Sequence, residues 1–335
     1  MFMLISSFWI KMRKIQLNGS ILLLGLLLSF SKLIGQVEDS IFHPTLVSQH
    51  LDILASDSLR GRVNFTVGQI KAADYINQEL KSYGLSFLEL KSFYHPFILA
   101  KELRPRGVTD SVLNNLIAVL PGKSKADEVI IFSAHYDHVD RDIYGNKSGI
   151  FNGANDNASG VTAVLMLAKY FSLVKNNERT LFFCFFAGEE LGLLGSLAFA
   201  PALEPEKVKS VINIEMIGKH DRSGKKAFFL TGEQYSDLSK ILKRNLSGTG
   251  VKLRSEPEDP TGLFNRSDNY PFFRMGIPAH SIMCSDDKDS CYHQPCDDPQ
   301  HVDVENMALI IRAIAASTVT LVNGKDSPAL KRKPK

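Results

Sequence analysis

Short, almost unbroken apolar runs alternate along this chain with longer segments of helical period. Five runs stand out: NLIAVL (Asn115 to Leu120), EVIIFSA (Glu128 to Ala134), LFFCFFA (Leu181 to Ala187), VINIEMI (Val211 to Ile217) and IPAHSI (Ile277 to Ile282). Apolar residues at nearly every position, rather than every second one, predict strands covered on both faces. Between the other segments, GQIKAADYINQELKSYG places Ile70, Ala73, Ile76, Leu80 and Tyr83 at helical spacing ahead of Gly84, which predicts an amphipathic helix with a glycine stop. Ala158 to Val174 is apolar almost all round and reads as a buried helix, and a last helix is predicted from Val304 to Val322 with Asp303 as its cap. Strands alternating with helices define an α/β fold, a three-layer α/β/α sandwich around a mixed, mostly parallel sheet.

Composition alters this picture only at the ends. Of 335 residues 44% are apolar and 22% charged, an ordinary globular balance with enough chain for a well-buried core. Lys11, Arg13 and Lys14 precede the apolar run Ile21 to Phe30, the basic and hydrophobic regions of an export signal, so residues 1–35 are read as a signal peptide cleaved near Gly35 or kept as a signal anchor. Those residues hold four basic groups and no acidic one, which leaves the rest of the formally +3 chain at −1. Nothing in that balance favours nucleic acid, and membrane contact is expected only through an uncleaved N-terminal segment. The expected organisation is one folded domain over residues 36–325 and a basic, disordered tail over 326–335.

Export makes the four cysteines candidates for oxidation. Cys184 lies inside an apolar strand and reads as a buried thiol. Cys284, Cys291 and Cys296 crowd one loop, where one disulfide is expected in preference to a small zinc knot.

Polar residues fall repeatedly where the predicted strands end. His135 and Asp137 close the second run, Glu189 and Glu190 the third, and Glu215 lies near the end of the fourth, while loops add Asp156 and His293. Each has a bland reading alone. His135 could be a satisfied strand-end histidine, Asp156 a helix cap, Glu215 a pairing carboxylate, His293 a loop residue, and the Glu189–Glu190 pair a helix start favoured by the dipole. Together they lie at one sheet edge, the edge where open α/β sheets bind ligands. Two imidazoles and several carboxylates are a donor set suited to Zn²⁺, and their excess over one tetrahedral site points to two ions sharing a carboxylate, with Asp156 as the natural bridge. Without metal, that buried negative surplus would be prohibitively costly. Of the adjacent glutamates one can face the metal while the other reaches a water.

The ordered motifs AHYDH, GANDNASG, AGEELGLLGS, NIEMIG and YHQPCDD, with NRSDNYPFF, resemble those of the two-zinc exopeptidases of the bacterial leucyl aminopeptidase, aminopeptidase S and glutamate carboxypeptidase II type, over about Val47 to Val322. The resemblance implies two zinc ions, one held by His135, Asp156 and Glu215 and the other by Asp156, Glu190 and His293. It implies Glu189 as general base, Asp137 as the carboxylate orienting His135, Asp268 behind the ligands, and Tyr292 as an oxyanion donor. The implied substrates are peptides with a free amino terminus, met outside the cytoplasm. His138 reads as a rim residue, since Phe132–Ser133–Ala134 supplies no earlier histidine for a metallo-β-lactamase motif. Rival readings are a carboxypeptidase, a single-zinc glutaminyl cyclase and a non-catalytic binding ectodomain of the same fold.

Overall fold

The computed structural model describes residues 38–88, 91–104, 106–109, 111–139, 149–220, 224–258 and 261–332, so the export signal expected over residues 1–35 lies outside the described residues. The chain divides into an N-terminal unit, Met1–Ile41, and a main unit, Phe42–Lys335. The main unit runs α1 (Pro44–Leu54), α2 (Val67–Ser82), β1 (Ser86–Phe87), β2 (Tyr94–Ile98), β3 (Val112–Leu120), β4 (Lys125–His135), α3 (Ser159–Val174), β5 (Arg179–Phe186), α4 (Leu194–Phe199), β6 (Val208–Glu215), β7 (Ala227–Leu230), α5 (Leu238–Asn245), β8 (Lys252–Arg254), α6 (Asn269–Arg274), β9 (Ala279–Met283) and α7 (Val304–Val322).

The sheet order is β1-β3-β5-β4-β6-β9-β7-β8, with β2 also paired to β3. Its centre, β5-β4-β6-β9, is parallel, while β3 and β7 join that centre antiparallel. The five apolar runs are β3, β4, β5, β6 and β9. Alternation explains why each is apolar throughout: Ile131, Phe182, Cys184, Phe186 and Val211 cluster with Phe199, Phe272 and Phe273 from α4 and α6. Intervening residues face the other helical layer, where Phe132 stacks on Phe171 of α3 with centroids 5.7 Å apart. Each fully buried phenylalanine contributes about 1.5–3 kcal/mol relative to exposure, which makes the central strands a rigid base for whatever their ends carry.

The helix ends follow local chemistry. Thr66 Oγ1 accepts from Gln69 N to cap α2, and Asp303 Oδ1 accepts from Asn306 N at 3.1 Å to cap α7, as expected. The buried stripe of α2 differs from the one expected: Ala72, Ala73, Ile76 and Leu80 are buried, but Ile70 is 59% exposed. The helix is rotated to bury Gln69, whose amide accepts from Phe65 N and donates to Asn64 Oδ1. A polar tie set the face, and hydrophobic spacing alone did not register it.

Past α7 residues 326–331 are bonded to the rest of the unit, which differs from the disorder expected over 326–335, whose last residues, 333–335, lie outside the described residues. Arg179, fully buried, donates to the carbonyl oxygens of Leu321 and Asp326 and to Ser327 Oγ, and Leu330 bridges to Ser236. The tail is held because a buried guanidinium needs acceptors, and these residues supply them.

Candidate metal centre

All the expected site residues converge beyond the carboxyl ends of the parallel strands. His135 is the last residue of β4 and pairs in register with Phe186, the last of β5. The turn after β5 therefore delivers Glu189 and Glu190 beside it, and Glu215 ends β6 on the other side. Asp156 comes from a π-helical turn, Ala154–Ala158, that precedes α3. Its side chain caps nothing, so the helix-cap reading fails. Gly153 opens this turn with φ 59°, where a Cβ would lie 2.3 Å from Asp156 O and 2.6 Å from the His138 ring. Only glycine fits there.

Asp156 presents its two oxygens to two groups of donors. Oδ1 lies 3.4 Å from His135 Nε2, which also meets Glu215 Oε1 at 2.8 Å. Oδ2 lies 3.1 Å from His293 Nε2 and 3.7 Å from His138 Nδ1, and both of these nitrogens approach Glu190 Oε1, at 3.3 and 3.2 Å. His138 is thus a member of the cluster and 1% exposed, which corrects its reading as a rim residue. The sequence hides this place because β4 ends at His135, yet the loop after it turns inward and returns His138 to the same centre.

The surrounding hydrogen bonds explain the dense polar motifs. Asp297 accepts from Asn155 N and Asp156 N at 2.9 and 3.0 Å, fixing the Asp156 turn from below. Asn155 Oδ1 accepts from Gly218 N, and Asn157 Oδ1 from Gly160 N and Met216 N, which clamps that turn to the end of β6. Ser267 donates to Glu215 Oε2 at 2.5 Å. Arg62, with no exposed surface, donates to the carbonyl oxygens of Leu54, Tyr136, Asn152 and Gly153 at 2.7–2.9 Å. Sequence reasoning passed over Arg62, Asn64 and Asp297; only Asp297 stood inside a quoted motif.

Asp137 is buried but does not orient His135 through its carboxylate. His135 Nδ1 lies 3.1 Å from the Asp137 carbonyl oxygen and 3.9 Å from its carboxylate. That carboxylate is taken by Asn64 Nδ2 at 2.6 Å and by the main-chain N–H groups of Glu189 and Glu190 at 3.2 and 3.3 Å. Asp137 therefore anchors the Glu189–Glu190 turn. Asp268, also buried, accepts from Ser196 Oγ and stands behind the cluster, with burial raising its pKa to about 7. Tyr292 stacks on the His293 ring with centroids 3.8 Å apart, and its hydroxyl lies 3.4 Å from Arg266 Nη2.

Electrostatics separate the two glutamates. Glu189 is pushed well above the usual carboxylate range by burial and by neighbouring Glu190 and Glu215, despite His135. Glu190 is held below its ordinary value, since contacts with His138 and His293 outweigh burial and Asp156. Burial opposes ionisation of Asp156 too, but His135, His293 and His138 hold it well below normal. His293, despite burial, is raised to about 11 by the same carboxylates. The charge left to be balanced by protonated imidazoles is what a divalent cation would neutralise. Three imidazoles and four carboxylates, with His138 making no hydrogen bond among the described residues, fit a zinc-type ion. A cleft of about 40 Å³ opens over them, walled by Met216, Leu263, Met283 and Tyr292 with Arg266 and Asp287. A larger cavity, about 300 Å³, lies along Lys219, His220, Pro257 and Ser285 and includes none of the cluster donors.

The loop carrying His293 is closed by a Cys291–Cys296 disulfide, while Cys184 and Cys284 are buried thiols, so the expected single bridge forms and the zinc knot does not.

Residues 115–318 match the model of Peptidase family M28. Among curated proteins, aminopeptidase YwaD of Bacillus subtilis is 26% identical over 234 residues, 68% of this chain and 48% of its own length. This chain spans about a third to a half of the curated relatives it matches. Among solved structures, BSAP, a zinc aminopeptidase from Bacillus subtilis, superposes with a TM-score of 0.66 at 15% identity, over 85% of this chain and 97% of that one. Glutaminyl cyclase of Porphyromonas gingivalis superposes with a TM-score of 0.65 at 19% identity, over 85% and 98%. At such identities the superpositions speak for the fold alone, and they agree with the layered α/β architecture.

Proposed function

The chain belongs to peptidase family M28, and from that premise we propose that it is a zinc-dependent aminopeptidase that hydrolyses the first peptide bond of substrates with a free amino terminus. One observation carries the reading: the two carboxylate oxygens of Asp156 face two separate donor groups, His135 with Glu215 and His293 with Glu190. That is the arrangement of a carboxylate shared by two ions. Zinc bound there supplies a Lewis acid for the scissile carbonyl and a lowered pKa for the attacking water.

The chain's own groups perform the proton transfers and the positioning. Glu189 is the general base: its carboxylate, raised in pKa by burial and by like charges, takes the proton of the attacking water and returns it to the departing amine. Asp137 holds both N–H groups of the Glu189–Glu190 turn, so the base is aimed by the main chain. Tyr292, kept as a neutral phenol by burial and nearby carboxylates, donates its O–H to the carbonyl oxygen as negative charge develops. Met216, Leu263 and Met283 exclude water from the cleft and give the first residue's side chain an apolar wall. Action outside the cytoplasm agrees with the disulfide beside His293.

The test is hydrolysis of aminoacyl anilides alongside zinc content. Glu189→Gln keeps the metal and loses at least about 1,000-fold in kcat. A fully active variant removes Glu189 from the role. Two zinc ions per chain, with activity abolished by acetylating the substrate's amino terminus, support the reading; one zinc with cyclisation of an N-terminal glutamine replaces it with a cyclase.

A further inference from the structure

His138 closes the motif AHYDH but is not among the ligands that the family resemblance implies, yet it sits within the cluster. Its ring is 1% exposed, and neither ring nitrogen makes a hydrogen bond among the described residues. A buried imidazole in that condition is unfavourable unless something answers its polar atoms. The sequence also makes room for it, since Gly153 lacks the Cβ that would collide with its Cγ and Cδ2 at 2.6 Å.

The spacing of donor atoms says what answers it. A tetrahedral zinc site with bonds of about 2.0–2.1 Å has donor-to-donor edges of about 3.3–3.4 Å. The edges recorded here are 3.1 Å from His293 Nε2 to Asp156 Oδ2, 3.3 Å from His293 Nε2 to Glu190 Oε1, 3.2 Å from His138 Nδ1 to Glu190 Oε1 and 3.7 Å from His138 Nδ1 to Asp156 Oδ2. The two imidazoles meet edge to face at 75° with centroids 5.5 Å apart. Nδ1 of His138 faces Glu190 Oε1 without hydrogen-bond geometry, as two lone-pair donors aimed at a common point do.

We propose that His138 is a fourth protein ligand of the ion position formed by Asp156, Glu190 and His293, closing its coordination shell. The inference rests on the zinc reading above and goes beyond it by dividing labour between the two positions. Four protein donors make the first position a fixed, structural one, whereas catalytic zinc keeps a coordination site open. The open site belongs to the position of His135 and Glu215, the group that Glu189 joins. The substrate carbonyl and the water are activated on that side.

X-ray absorption at the zinc edge of the wild-type protein, reconstituted with two ions, decides the ligand count without a variant. Three imidazoles shared by two ions are expected; two would overturn the assignment. Chelator competition on His138→Ala and His138→Gln is the second readout. One ion is expected to weaken by at least about 100-fold, the top of the range for partners that merely support a ligand, while the other keeps its affinity. Unchanged affinity for both ions in a folded variant rejects the ligand role. Wild-type protein that binds no zinc tightly rejects the aminopeptidase reading itself, a different result from two zinc ions held by two imidazoles.

Discussion

Replacing Arg62 by methionine tests whether the metal loops are held from below by one buried cation. Methionine keeps most of the apolar stem and removes the guanidinium, leaving the carbonyl oxygens of Leu54, Tyr136 and Asn152 without their donor, while Gly153 O keeps its bond from Ala158 N. Each buried acceptor so orphaned costs about 1–3 kcal/mol, or roughly 6 kcal/mol at the midpoint for the three with no other donor. Against this stands the cost of burying the charge. Burial lowers the Arg62 pKa to about 10 from 12.5, despite Asp156, Asp297, Asp137 and Glu190 nearby, and that difference corresponds to about 3 kcal/mol recovered when the charge is removed. The expected destabilisation is therefore about 3 kcal/mol, measured by urea unfolding of metal-free protein. Arg62→Lys keeps the charge but not the fork and should lose roughly half as much. The acceptors belong to the end of α1 and to the loops bearing His138 and Asp156, so zinc affinity should fall with stability. A methionine variant that loses less than about 1 kcal/mol and binds zinc normally would refute the reasoning.

Other perturbations address separate parts of the molecule. His280 is buried near the start of β9, accepts from Ser236 Oγ through Nε2 and donates to Thr231 O through Nδ1, and burial lowers its pKa to about 4. Because the folded value lies below the unfolded 6.5, the stabilisation is complete above pH 6.5 and is lost as pH falls through 4, about 3 kcal/mol in all. His280→Gln should flatten that part of the stability–pH curve by this amount, and an unchanged slope in denaturant titrations excludes the assignment. Cys291→Ser opens the short loop around His293; about 2 kcal/mol of loop-closure stabilisation should vanish and zinc binding weaken by about 10-fold, seen in chelator competition on reduced and oxidised protein.

The central strands were legible because burial on both faces leaves a direct mark, an unbroken apolar run such as Leu181 to Ala187. The short β7 and β8 at the far edge left no such mark, since three or four residues do not make a period. At the site, residue type and position at strand ends located His135, Asp156, Glu189, Glu190, Glu215 and His293. What stayed hidden were contacts settled by loop paths: the return of His138 into the cluster, the main-chain use of the Asp137 carboxylate, and the guanidinium of Arg62 reaching carbonyls up to 91 positions away. Hydrophobic spacing carries no information about where a polar side chain finds its partner. Ile70 lies on the outside of α2 for the same reason, since Gln69 chose the face.

The fastening of residues 321–331 bears on the order of events during synthesis. Arg179 opens β5 at the middle of the sheet, but the oxygens of Leu321, Asp326 and Ser327 that satisfy it are translated some 140 residues later. A growing chain can collapse its central strands early and still carry a buried cation bonded only to Glu128, with its other donors unanswered. The start of β5 is fully bonded only when that late segment arrives, so the nascent polypeptide stays open to chaperones until residues 321–327 have been made.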